Sequence, residues 1–117
     1  MDHTADPFRG IRYFEPREFA CRCGTCGGFP AKPERKLLET ADRLREKLGT
    51  VDVTSGVRCE KHNAAVGGVK NSRHLTGKAM DFRVRGKDAA QVLSALKGYP
   101  IRYAYAIDAV HVHMDVE

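Results

Sequence analysis

The sequence predicts one small α+β domain, with a largely antiparallel sheet and helices packed on one side of it. Three observations carry that expectation. An amphipathic helix comes early; short strands of alternating polarity come late and close in a hairpin pattern; and 117 residues leave room for one core and no spare module.

The elements follow in order. Phe14 to Cys26 reads as an irregular arm, with Phe8, Tyr13, Phe14 and Phe19 as apolar anchors, and Gly24, Gly27, Gly28 and Pro30 make a loop after it. The first helix follows. Pro33 suits its first turn and Gly49 the position just past its end, while Leu37, Leu38, Ala41, Leu44 and Leu48 repeat at helical spacing. Val51 to Thr54 is a short strand ended by Ser55-Gly56. Glu60 to Val66 is a short helix stopped by Gly67-Gly68. Lys78 to Val84 is a second strand. Asp88 to Lys97 is a helix with Asp88 as its cap and Gly98 and Pro100 as its stop. Tyr103 to Ile107 and Val110 to Val116 form the closing hairpin.

Hydrophobic residues make up 42% of the chain and charged residues 30%, as in ordinary globular proteins. No apolar run approaches the roughly 20 residues of a membrane span, so membrane insertion is not expected. Met1 to Gly10 is polar and lacks the apolar core of a signal peptide, so the expectation is synthesis in the cytoplasm. Lys and Arg exceed Asp and Glu to give a formal charge of +5, which suits a polyanionic partner. The basic residues are scattered and form no stripe with interleaved aromatics, so nucleic acid is not the expected partner. Four cysteines, at positions 21, 23, 26 and 59, leave three readings open: reduced thiols packed as small apolar groups, a disulfide to Cys59, or a structural zinc. The spacing C-x-C-x2-C with one distant cysteine fits a zinc ribbon poorly.

Side-chain alternation marks a site. In the second strand Met80, Phe82 and Val84 face one way and Asp81 the other; in the last strand Val110, Val112, Met114 and Val116 face one way and His111, His113 and Asp115 the other. If both strands share a sheet and a core side, Asp81 and the two histidines share the opposite face. Asp81 sits between apolar neighbours and needs a cation: a metal, Arg83 or Arg58. His74 lies seven positions before it, followed by Gly77 and Ala79, whose small size permits close approach. Two histidines and a carboxylate are the three-ligand set of a catalytic zinc, whose fourth position is left for water.

Thr54-Ser55-Gly56-Val57-Arg58-Cys59, His62-Asn63, Gly67-Gly68 and the pattern S-x-H-x-x-G-x-A-x-D at Ser72 to Asp81 resemble the zinc D-Ala-D-Ala carboxypeptidases and related phage-type peptidoglycan endopeptidases. The late His-x-Asp strand and the arm Phe14-x4-Phe19-x-Cys21-x-Cys23 resemble that family too. The resemblance implies a Hedgehog/DD-peptidase-like fold, with an N-terminal arm over residues 1–12 and a catalytic domain over 13–117. It implies Zn2+ held by His74, Asp81 and His113, with His111 as the alternative third ligand. It implies Arg58 as the anchor for a substrate carboxylate and Ser72 as a polar contact beside the peptide. The general base is expected to be Asp108, with His111 as the alternative, because Val110 stands where many relatives carry an acid. The implied activity is hydrolysis of peptidoglycan stem peptides, of carboxypeptidase or endopeptidase type, on the cell wall after release or export. Two other readings are a non-catalytic zinc-bearing interaction domain of the same fold and a nucleic-acid-binding protein with cysteine-held zinc.

Overall fold

The computed structural model describes residues 6–117, so the first five positions of the expected arm lie outside the described residues. Four strands, β1 (Val51–Ser55), β2 (Ala79–Val84), β3 (Tyr103–Ala106) and β4 (His111–Asp115), form one sheet in the order β1-β2-β4-β3. Every neighbouring pair is antiparallel, as the hairpin and the alternating patterns require. The helices are α1 (Arg35–Leu48), α2 (Glu60–Ala65) and α3 (Ala89–Ala95).

The sheet has one apolar face. Met80, Phe82 and Val84 of β2 and Val112 and Met114 of β4 are fully buried there, against Leu37, Leu38 and Leu44 of α1 and Val92 of α3. The two longer helices thus cover one side of the sheet and leave the other to polar groups. Asp88 caps α3 as expected, accepting the Gln91 N–H while the Gln91 side chain returns to the Asp88 N–H, a reciprocal pair that satisfies two orphan donors.

Several boundaries differ from the expectation for local reasons. Pro33 precedes α1 rather than opening it; Glu34 is the capping residue, and its N–H is taken by the Gly77 carbonyl at 2.8 Å. β4 begins at His111 because Asp108 draws the Val110 and His111 N–H groups into a turn. Tyr13 stays 38% exposed; rather than joining the core, its ring is covered by the guanidinium groups of Arg12 and Arg45 at 5.1 and 4.8 Å.

The arm is irregular apart from one 3-10 turn at Pro16–Glu18, yet it is firmly seated. Phe19 is fully buried and meets Phe8 and Phe14 edge-on at 5.7 and 5.6 Å. Its carbonyl accepts the Val57 N–H at 2.8 Å. That approach depends on Gly56: a Cβ there would stand 2.5 Å from the Phe19 oxygen, with backbone on the other side that cannot yield. Gly56→Ala is therefore expected to lower stability by about 1–3 kcal/mol through overpacking. The check is urea unfolding, with a lower midpoint at unchanged slope.

Candidate metal centre

The site is built from one local motif and one strand pairing. In the motif, Ser72 precedes a 3-10 turn at Arg73–Thr76 and caps it, its Oγ accepting the His74 N–H at 3.2 Å. Gly77 ends the turn in the left-handed region, φ 76°, and its bare α-carbon lies against the Lys32 carbonyl, where any side chain would collide. Ala79 is buried directly across from Asp115, and Asp81 follows on the same side of β2. Each fixed residue of the motif thus has a steric or hydrogen-bonding reason. The pairing supplies the rest: Asp81 and His113 are direct partners across β2 and β4.

His74, Asp81 and His113 offer ligand atoms that all lie within 4.8 Å of one another. His74 is 2% exposed. Its Nδ1 lies 2.7 Å from the Gly56 carbonyl, which can only accept, so the proton sits on Nδ1 and Nε2 keeps its lone pair. His113 is set the other way round. Its Nε2 lies 2.7 Å from Asp115, and Arg102 holds that carboxylate in a two-pronged ion pair at 2.7 and 3.0 Å. Nε2 of His113 therefore donates, and Nδ1 keeps its lone pair.

The two free ring nitrogens face the same Asp81 oxygen, His74 at 3.2 Å and His113 at 2.9 Å. In these tautomers three acceptors confront one another with no proton between them, which is unfavourable without a cation. The titration behaviour says the same. Burial works against the Asp81 carboxylate, yet the contacts from His113 and His74 outweigh it and hold its carboxyl below the usual range. Burial also works against a charged His113, and Asp81 and Asp115 outweigh it, raising its pKa. The arrangement demands positive charge among these three groups. Two imidazole nitrogens and a carboxylate oxygen, with both outer ring nitrogens already engaged, fit zinc.

Arg58 is the cation that the protein itself brings to Asp81. Its guanidinium donates to the second Asp81 oxygen at 3.1 Å, to Ser55 Oγ at 3.0 Å and to Asn63 Oδ1 at 3.1 Å. Arg83, the other cation open to Asp81, stands in β2 directly opposite Asp52 of β1. A cleft of about 700 Å³ opens beside the centre, lined by Arg58, Ser72, His74, Asp81, Tyr105 and His113 among others. The Tyr105 ring stacks on His113 at 4.8 Å and 22°.

Asp108 and His111 are brought together elsewhere. Both lie at the β3–β4 turn, and neither lines the cleft. The Asp108 carboxylate accepts the backbone N–H groups of His111 and Val110, at 2.7 and 2.9 Å, and contacts His111 Nδ1 at 2.9 Å. Those bonds, the His111 N–H foremost, hold its pKa at about 2.

Three contributors went unread in the sequence: Arg102, Tyr105 and the Gly56 carbonyl. Alternation along the last strand puts Asp115 on the face of His113 but does not give it the role of orienting that ring. A backbone carbonyl leaves no such trace.

Comparison with known proteins agrees with the geometry. A family model described as peptidase M15 matches residues 12–115. No curated protein and no solved structure matches the chain.

Two outcomes are expected. Asp115→Asn removes the partner that orients His113 and should weaken zinc binding about 10–100-fold, read by competition with a chelator. The Asp108 carboxyl is depressed, so its hold on the turn is complete above the ordinary carboxylate pKa near ~4 and is lost as pH falls through about 2. The Val110 and His111 amide resonances should titrate there, and a midpoint near the ordinary carboxylate value would contradict the hydrogen-bonded turn.

Proposed function

Because this chain belongs to the peptidase M15 family, that of the zinc D-Ala-D-Ala carboxypeptidases, we propose that it is a zinc-dependent peptidase acting on peptidoglycan stem peptides. The reaction is hydrolysis of a peptide bond, of D-alanyl-D-alanine carboxypeptidase or endopeptidase type. The observation that carries this reading is the convergence of His74 Nε2, Asp81 Oδ1 and His113 Nδ1 beside a cleft, with both outer ring nitrogens already fixed.

When bound, zinc supplies Lewis acidity that makes water nucleophilic near neutral pH. The residues of the chain do the remaining work. Gly56 and Asp115 hold the two imidazoles in their ligating tautomers. Arg58 commits three of the five guanidinium N–H groups to Ser55, Asn63 and Asp81 and still lines the cleft, so the uncommitted donors suit the carboxylate at a peptide end. The Ser72 hydroxyl accepts from His74 and retains its proton for a peptide carbonyl.

Proton movement falls to the pair at the β3–β4 turn. Asp108, depressed to about 2 and engaged by several donors, is a weak base. It fixes His111 through Nδ1 and leaves Nε2 to take a proton from the attacking water and pass it to the leaving amine. His111 stands on the same side of β4 as His113, two residues away, or roughly 6–7 Å along the strand. Substrate engaging it extends from the cleft towards the turn. The formal charge of +5 suits an acidic wall polymer, reached after release or export.

One observation favours a second reading, a non-catalytic zinc-bearing interaction domain. Among the described residues, the carboxylates lining the cleft are Asp81 and Asp115, and both are engaged, so none of them is a free acid able to serve as base.

Zinc analysis with muropeptide digestion separates the two. Zinc-loaded wild type should shorten stem peptides. His74→Ala should lose one equivalent of zinc together with cleavage. His111→Gln should keep its zinc and lose about 10²–10⁴-fold in turnover. Wild type that carries zinc and leaves every muropeptide intact would favour the interaction domain.

A further inference from the structure

A second cluster of ligand-type side chains lies apart from this centre. The sulfurs of Cys21, Cys23, Cys26 and Cys59 all lie within 4.8 Å of one another, and all four are free thiols. Three come from the C-terminal part of the arm. The fourth caps the N-terminus of α2.

Packing alone does not account for them. Cys21 is buried, but Cys23 and Cys59 are only partly covered and Cys26 is exposed, whereas thiols that serve as small apolar groups are found inside. Backbone N–H groups are aimed at the sulfurs. Cys21 Sγ accepts the Cys59 N–H at 3.3 Å; Cys23 Sγ accepts those of Thr25 and Cys26 at 3.4 and 3.3 Å; Cys59 Sγ accepts that of His62 at 3.3 Å. Donors directed at sulfur favour the thiolate, the form that ligates metal. The loop is shaped to hold this arrangement: Gly27 and Gly28 both take positive φ, and the Gly28 carbonyl accepts the Cys21 N–H. A tetrahedral ion with Zn–S bonds of roughly 2.3 Å separates its sulfurs by roughly 3.8 Å, a spacing this cluster can adopt with little movement.

We propose that Cys21, Cys23, Cys26 and Cys59 hold a second zinc ion, structural rather than catalytic. Four thiolates complete the tetrahedron and leave no position for water. Loading releases the thiol protons to solvent. The ion ties the arm to the segment that serves the first centre: Cys59 follows Arg58, the Val57 N–H bonds the Phe19 carbonyl, and the Gly56 carbonyl orients His74. It supplies a cross-link that the loop, lacking secondary structure, does not supply for itself.

The test is metal stoichiometry on the full chain, purified under reducing conditions with zinc supplied. Wild type is expected to carry two zinc ions per chain. His74→Ala should keep one, and Cys23→Ser with Cys26→Ser should also keep one, held at the other centre. Two further measurements do not depend on the cysteine variants folding. A mercurial thiol reagent added to His74→Ala should release its zinc as the thiols are consumed. Cobalt-loaded His74→Ala should show thiolate-to-metal charge-transfer absorption. A single zinc in wild type with none in His74→Ala would overturn the proposal, as would iron in place of zinc or a mass showing the thiols oxidised to disulfides. The count is independent of muropeptide cleavage, so failure of the peptidase reading would leave this result standing.

Discussion

The direct pairing of Asp81 with His113 across β2 and β4 is the constraint on which the rest depends. Side chains alternate along a strand, so the register that puts Asp81 opposite His113 also sends Met80, Phe82, Val112 and Met114 into the core. A slip of one residue would drive an imidazole into the apolar layer and lift a valine into the cleft. Hydrophobic packing therefore sets the ligand geometry. The helices α1 and α3, which touch none of the ligands' polar atoms, hold the two strands in the register the site needs.

The groups around that pair are arranged by charge. Two carboxylates and two imidazoles stand close together in a largely buried place, and each carboxylate has its own guanidinium: Arg58 on Asp81 and Arg102 on Asp115. Taking one member out leaves an uncompensated buried charge, which costs far more than the net worth of any one pair. The result is a chain of contacts, Arg102 to Asp115 to His113 to Asp81 to Arg58, with a guanidinium at each end and an imidazole in the middle.

The sequence made legible whatever is local or periodic. Ser72, His74, Gly77, Ala79 and Asp81 lie in one short stretch, and their spacing alone suggests a turn feeding a strand. His113 could be read because alternation separates it from Val112 and Met114. The orientation of His74 could not, since its partner is the backbone carbonyl of Gly56, which any residue carries. Alternation put His111 on the face of His113, but Asp108 could be named and not placed, because the conformation of a turn decides where its side chain goes. Pro33 and Tyr13 show how tertiary context shifts a local expectation: one fell just outside its helix, the other found cover under two arginines rather than in the core. The cysteines were ambiguous for a related reason. Three are neighbours in sequence, but only folding brings Cys59 to them.

Gly56 has consequences on both of its faces. Its missing side chain admits the Phe19 backbone, and its carbonyl fixes the His74 ring. Any partial opening that peels the arm from the sheet thereby loosens the support of an imidazole to which the arm contributes no ligand. Proteins open in such cooperative pieces well below the free energy of global unfolding. The residence time of an ion at the His74 centre is thus coupled to the breathing of a remote segment, and hydrogen exchange at the Val57 amide, which bonds the Phe19 carbonyl, reports the rate of that breathing.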